Sequence, residues 1–318
     1  MTVAPGILGA VDAQTIVDAI GLGAIYALMA VGIGLVFGVL RLVNFAYGQL
    51  IMAGAYALAF ASERDWPVAP SILLCFAVVL ALSFALERLV FRPLRTQSEA
   101  VMLVTTFAVA FLLQNVALVI DVRDGTIGEA AASIAGVTLP GDSGSVNQAF
   151  SLWGLDIRRI TLIAIVVAAV CLIALALLLG RTTIGLQMRA AATDFRTARL
   201  LGVKANAVIG FAVLLSGVIA ATVAVLLTVK NPLVAPDFAL RETIVVLVGV
   251  VVGGLDRLWT ATLGGFTIGF ATGVIAGALP TEQTVYLPSA VFALVIVVLL
   301  FRPAGLFARK GATGAERV

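Results

Sequence analysis

Five neutral polar side chains stand where the surrounding chain is apolar: Asn44, Tyr47 and Gln49 at the start of one hydrophobic run, and Gln114 with Asn115 inside another. Amide and hydroxyl groups donate and accept hydrogen bonds without carrying charge, so they can guide a small solute without trapping it. For Gln114 and Asn115, hydrogen bonds between neighbouring helices, worth about 0.6–2 kcal/mol each, are an equal alternative. The residue types that are missing narrow the chemistry further. The chain has no histidine, which removes the usual general base, the commonest transition-metal ligand and the neutral-pH proton switch together. No metal or other cofactor is expected, and catalysis by this chain is not. Asp18 lies near the outer end of its run and Glu87 near the inner end of another, so no carboxylate sits at mid-membrane to hold a coupling ion or relay a proton. A G-x-x-x-x-G-K-[ST] phosphate loop is absent as well. Transport powered by a separate ATPase fits this inventory better than an ion-coupled carrier or an intramembrane hydrolase.

A second constellation is basic. Between Arg181 and Lys204 the chain carries Arg181, Arg189, Arg196, Arg199 and Lys204 against the single acid Asp194, a balance typical of a loop retained in the cytoplasm. At 100° per residue, Met188, Ala191, Phe195, Ala198 and Gly202 fall on one side and Arg189, Thr193 and Arg196 on the other. The spacing predicts one amphipathic helix lodged between two spans, with a face that docks and a face that stays wet. A soluble partner could grip it; a loop that only fixes topology would look the same.

These groups need a scaffold, and composition says which kind. Of the 318 residues, 62% are hydrophobic and only 12% charged, with a mean hydropathy of +1.15, far above the roughly 45–50% apolar content of a soluble domain. The bases sit in short connectors and form no single patch, so nucleic acid is not an expected partner. Cys75 and Cys171 lie inside apolar runs and imply no disulfide framework. No Lys or Arg precedes Arg41, so the first run lacks the basic flank of a signal peptide and is expected to stay in the mature protein. Apolar runs appear near 14 to 40, 44 to 61, 68 to 90, 100 to 120, 160 to 180, 207 to 229, 242 to 255, 258 to 279 and 285 to 301. A crossing takes about 20 residues, and the run at 242 to 255 reads as half a helix. With the N-terminus outside and nine crossings, 14 bases fall inside and 6 outside, which supports that orientation. The expected fold is an all-α integral membrane protein: a polytopic bundle of about eight to nine transmembrane helices with broken or half helices, in one domain over 1–318. Residues 121–159 form an extracytoplasmic loop, 181–206 a cytoplasmic coupling loop and 302–318 a cytoplasmic tail.

Two interruptions, Arg41 to Gln49 and Gly253-Gly254-Leu-Asp256-Arg257, are candidates for broken helices that line a pathway. They also read as ordinary cytoplasmic turns. Gly265, Gly269, Gly273 and Gly277 repeat every four residues, a spacing that stacks them on one helix face for close packing, either within the chain or against a second subunit.

The sequence resembles the membrane permease subunits of bacterial ABC importers for branched-chain amino acids, specifically the shorter of the two paired permeases. The matching stretches are Gly23-Ala-Ile-Tyr26-Ala-Leu, Val39-Leu-Arg-Leu-Val-Asn44-Phe-Ala-Tyr-Gly48 and Glu87-Arg-Leu-Val-Phe-Arg92-Pro93-Leu-Arg95. Further matches are Gly185 to Gly202-Val203, Val252-Gly253-Gly254-Leu with Leu263-Gly264-Gly265, and Phe301-Arg302-Pro303-Ala-Gly305-Leu306-Phe307. The resemblance implies that Gly185, Arg189, Ala190, Asp194, Phe195, Ala198 and Gly202 belong to an element seated in a cleft of the ATPase. It also implies the partners: a second homologous permease, two cytoplasmic ATP-binding subunits and an extracytoplasmic solute-binding protein, gathered in the bacterial inner membrane. Family members commonly carry His and an acid in the Asn-Phe-Ala-x-Gly-x turn, where Tyr47 and Gln49 stand here. Urea and short amides, carried by similar importers, therefore stay open beside branched-chain amino acids.

Overall fold

The computed structural model describes residues 13–40, 43–94, 97–124, 149–152, 155–193, 195–231, 234–254 and 257–302. Most of the expected tail (303–318), most of the expected outer loop (125–148) and Asp194 lie outside them.

The apolar runs become helices. They are α1 (Ala13–Leu40), α2 (Tyr47–Ser62), α3 (Val68–Leu94), α4 (Glu99–Asp124), α5 (Arg159–Arg181), α8 (Ala205–Lys230), α9 (Leu240–Gly253), α10 (Leu258–Ala278) and α11 (Leu287–Phe301). Two short helices, α6 (Thr183–Thr193) and α7 (Phe195–Leu200), lie between α5 and α8. In lipid only helices and closed barrels satisfy every backbone group internally, which is why runs of this length and composition have one outcome. Among the described residues six helices are long and apolar enough to cross a bilayer: α1, α3, α4, α5, α8 and α10. At 1.5 Å per residue the 14-residue α9 reaches only about 21 Å, short of a core about 30 Å thick; α2 and α11, at 16 and 15 residues, are also short.

α1 is the axis of the molecule. Its most apolar stretch is 83% buried, against 17% for α5 and 22% for α3 and α4, so the core is built around α1 and the other three face outward. α8, 61% buried over its window, packs against α1, α2 and α3. Within this core, the Ser216 hydroxyl of α8 donates to the Gly32 carbonyl of α1 at 2.8 Å. Most other helical hydroxyls turn back on their own helix: those of Thr105, Thr262, Thr267 and Thr272 each donate to the carbonyl four residues earlier.

Three features depart from the sequence reading. Residues 86–91 of α3 are wound as a π-helix, which carries Glu87 into the interior. A hairpin of β1 (Ala149–Leu152) and β2 (Leu155–Arg158) stands inside the expected outer loop, with Ala149 paired to Arg158 and Leu152 to Leu155. The third is in the basic stretch, where helix ends at Leu200 (α6 and α7 lie on either side of residue 194, outside the described residues) and Gly202 is an exposed turn residue and not part of a docking face.

Candidate coupling site and adjoining cavity

The corner between α5 and α6 is made by Thr182. Its hydroxyl accepts from the Gly185 N–H at 3.0 Å and donates to the Leu178 carbonyl at 2.6 Å. It thus caps α6 and holds it to the end of α5. Gly185 is there because the corner has no room: a methyl group on it would meet the Leu178 carbonyl oxygen, and the Leu179 carbonyl oxygen at 2.6 Å. From this corner α6 runs with Gly185, Met188 and Ala191 buried, Ala190 half-buried, and Arg189, Thr193 and Leu186 exposed. Its buried side packs on α5, α8 and α1. The Thr193 hydroxyl donates to the Arg189 carbonyl at 3.0 Å, a back-bond that bends helices and here stands at the end of α6.

α7 continues the division of faces with Ala198 buried and Leu200 and Leu201 more than four-fifths exposed. Asp194 and the side chain of Phe195 lie outside the described residues. Gly202, expected on the docking face, is an exposed turn residue. Its φ of +89° and the Val203 N–H to Ala198 carbonyl bond of 3.1 Å close α7 in a Schellman-type end. Sequence reasoning missed Thr182, Leu186, Leu200 and Leu201. The signal for the leucines was present as apolar residues on the wet side of a basic loop.

Beside α6 lies a cavity of about 560 Å³, bounded by the inner ends of α1 and α5 and the start of α10. Val31, Leu35, Leu172, Leu175 and Leu258 are among its apolar walls, and Arg189 of α6 and Arg257 before α10 are its charged residues.

The polar residues expected on a solute path separate into two places. Asn44, Tyr47 and Gln49 are buried where α1 turns into α2. The Asn44 side-chain oxygen accepts from the Ala46 N–H at 3.0 Å, an Asx turn that starts α2. The Tyr47 ring fills the space left by Gly32, where any side chain would collide with it. Among the described residues Tyr47 Oη and Gln49 Oε1 have no hydrogen-bond partner. Gln114 is half-buried and Asn115 exposed on α4, and the Asn115 amide donates to its own helix, at Phe111 O, 2.7 Å away. The two places meet through Thr106 of α4, whose hydroxyl accepts from the Phe45 N–H at 3.4 Å. The Phe45 and Phe107 rings pack edge to face, 6.1 Å between centroids.

The four spaced glycines of α10 all face α1. A methyl at Gly265 would meet Ala30, one at Gly273 would lie 2.5 Å from the Ala19 Cα, and one at Gly277 would meet Thr15. At Gly269 it would fall 2.8 Å from the Gly23 Cα and 2.8 Å from the Tyr26 Cβ.

A bundle of helices long and apolar enough to cross a membrane, packed around a buried axis and carrying short amphipathic helices between two of them, has the build of a transporter membrane subunit. The chain belongs to the family of branched-chain amino acid transport system permease components, whose model matches residues 15–301. Among its relatives is the high-affinity branched-chain amino acid transport system permease protein BraD of Pseudomonas aeruginosa, 29% identical over 93% of this chain and 95% of that one. LivH of Escherichia coli K12, of the same description, is 26% identical over the same shares. The probable LivH of Methanocaldococcus jannaschii is 28% identical over 88% of this chain and 87% of that one. A metal-chelate type ABC transporter solved in an inward-facing conformation is similar over 91% of this chain and 86% of its own, with 16% identity and a TM-score of 0.48. The chain is thus a permease subunit of an ABC importer, a multi-pass protein of the bacterial inner membrane that works with ATPase subunits.

Proposed function

We propose that this permease pairs with a second, homologous permease and two cytoplasmic ATPases to import branched-chain amino acids delivered by an extracytoplasmic binding protein. The observation that carries the coupling role is the split of α6 and α7. Met188, Ala191 and Ala198 are packed into the bundle, while Leu186, Leu200, Leu201 and Arg189 are exposed, on the side that this reading assigns to the cytoplasm. Apolar side chains exposed to cytosol gain about 1.5–3 kcal/mol each when a partner covers them, and Arg189 adds charge for orientation. Movement of the ATPases reaches α1 and α8 directly, because α6 packs on both. Gly185, Ala190, Asp194, Phe195 and Gly202 complete the coupling element in this reading.

The path for the solute follows α4, an outward-facing helix with an exposed amide among apolar residues. Gln114 and Asn115 contact the solute there. Asn44, Tyr47 and Gln49 join the path when α4 parts from the α1–α2 turn, giving the unpartnered Tyr47 and Gln49 oxygens something to bind. Each ligand shifts the outward-open and inward-open states only by its difference in affinity between them.

The test is a pair of variants in the complete importer. Leu201→Asp should weaken retention of the ATPase in mild detergent by about 10- to 150-fold, from the burial energy of one leucine. Arg189→Glu should leave ATP hydrolysis running without uptake of labelled leucine. Normal retention and normal leucine uptake in both variants, at equal expression, would overturn the coupling assignment. Uptake of labelled urea or acetamide in place of leucine would favour the second reading, which rests on Tyr47 and Gln49 standing where the resemblance leads one to expect His and an acid.

A further inference from the structure

The cavity beside α6 has a composition that a solute path does not require. Its walls come from the last turns of α1, the last turns of α5 and the first turn of α10. In the orientation given by the bases, these lie at the depth of the inner leaflet. Its volume of about 560 Å³ falls within the roughly 300–1,000 Å³ of small-molecule sites. The two threonines that line it have already given their hydroxyl hydrogens, Thr262 to the Leu258 carbonyl at 2.7 Å and Thr193 to the Arg189 carbonyl at 3.0 Å, so they cannot donate to a ligand. Among the described lining residues the charged groups are the exposed Arg189 and Arg257. No carboxylate is among the described lining residues. Trp259, also lining the cavity, is 67% exposed, and tryptophan in such a place sits at the level of lipid headgroups.

An amino-acid zwitterion would bring its ammonium group toward two cations, with no acid among the described lining residues to receive it. A hydrocarbon chamber with a doubly positive rim at headgroup level instead matches one molecule of the bilayer. We propose that an anionic phospholipid of the inner leaflet occupies this cavity, with an acyl chain between α1, α5 and α10 and its phosphate between Arg189 and Arg257. Arg189 is on α6 and Arg257 precedes α10, so the lipid bridges the coupling helix to the helix locked on α1. The proposal uses the membrane orientation given above, and it does not depend on which solute is carried.

Native mass spectrometry of the intact importer, released from nanodiscs of phosphatidylglycerol or of phosphatidylcholine, tests it without reference to transport. Wild type should retain a phosphatidylglycerol adduct and little phosphatidylcholine. Arg257→Gln should lower its occupancy about 5-fold, the worth of one cation at an anionic surface. Gly38 lines the cavity and has open space around it, nothing lying within 4 Å of where a methyl would stand. Gly38→Leu should therefore take up part of the chamber, leave both arginines in place and lower the occupancy of the adduct. Equal retention of the two lipids, or undiminished occupancy in Arg257→Gln or in a folded Gly38→Leu, would overturn the proposal. Competition by soluble glycerol phosphate at matched concentration would also overturn it, by showing an anion site without a chain site. If Gly38→Leu does not fold, the lipid comparison and Arg257→Gln decide alone.

Discussion

Replacing Gly269 with alanine sets two known effects against each other, and the structure says which wins. Alanine is the better helix former by about 0.8–1.0 kcal/mol, so in open space the exchange stabilises. At 269 the new methyl would stand 2.8 Å from the Gly23 Cα and 2.8 Å from the Tyr26 Cβ. Carbon atoms settle at about 3.5–4.0 Å, so α1 and α10 would have to part by roughly 1 Å, and a gap of that size forfeits up to about half the attraction of each facing pair. Gly23 Cα is backbone and cannot swing aside. Overpacking of this kind costs about 1–3 kcal/mol, or about 5- to 150-fold in the folding equilibrium at tenfold per 1.4 kcal/mol. The measurement is the thermal midpoint in detergent, read by fluorescence-detected size exclusion, with Gly38→Ala as the matched control because nothing lies within 4 Å of its added methyl. Gly269→Ala should melt below wild type and Gly38→Ala at or slightly above it. If the two variants melt together, α1 and α10 do not approach as closely as described, and the reasoning from the glycine face is wrong.

Two further substitutions separate packing from passage. Ser216→Ala removes the buried bond from α8 to the Gly32 carbonyl and should cost about 0.6 kcal/mol and no more than about 1.7, the range of such bonds in membrane bundles; a larger drop in unfolding free energy would mean that Ser216 holds more than this contact. Asn115→Leu removes an exposed amide that donates to its own helix, so stability should stay within about 0.5 kcal/mol while leucine uptake falls several-fold; full uptake would take Asn115 off the path, and failure to fold would assign it to helix contacts.

The spans were legible because lipid permits few alternatives. The run read as 14 to 40 is Ala13–Leu40, and that read as 207 to 229 is Ala205–Lys230. The relation of the helices to one another was less legible, for a physical reason. In a soluble protein an apolar face marks the core, but lipid is as apolar as a core, so the outward side of α5, with Val166, Val170 and Ile173 exposed, looks in sequence like the inward side of α1. Small residues carried the information that hydropathy did not, since only glycines allow α10 to approach α1 as it does. The hairpin left a weak trace in the alternation of Leu155-Asp-Ile157-Arg, too short to stand out beside helices of more than 20 residues. Polarity alone did not tell Gln49, sealed in the core, from Asn115, exposed on α4.

In the proposed mechanism the two ends of the basic stretch have different work to do. With α6 tied to α5 by Thr182 and α7 ended at Gly202, the exposed leucines of α7 stand on the far side of residue 194 from the helix that bears on α1 and α8. In the proposed mechanism the ATPase holds α7 and pushes α6, and the force reaches α1, which the glycine face binds to α10. α4 touches the bundle chiefly at α2 and the π segment of α3, so it is the helix left to shift relative to the rest. That ordering makes a loosened α1–α10 contact a defect of transmission as well as of stability: at a temperature where Gly269→Ala is still folded, it should hydrolyse more ATP per leucine imported than wild type, and an unchanged ratio would place the transmitted force on another route.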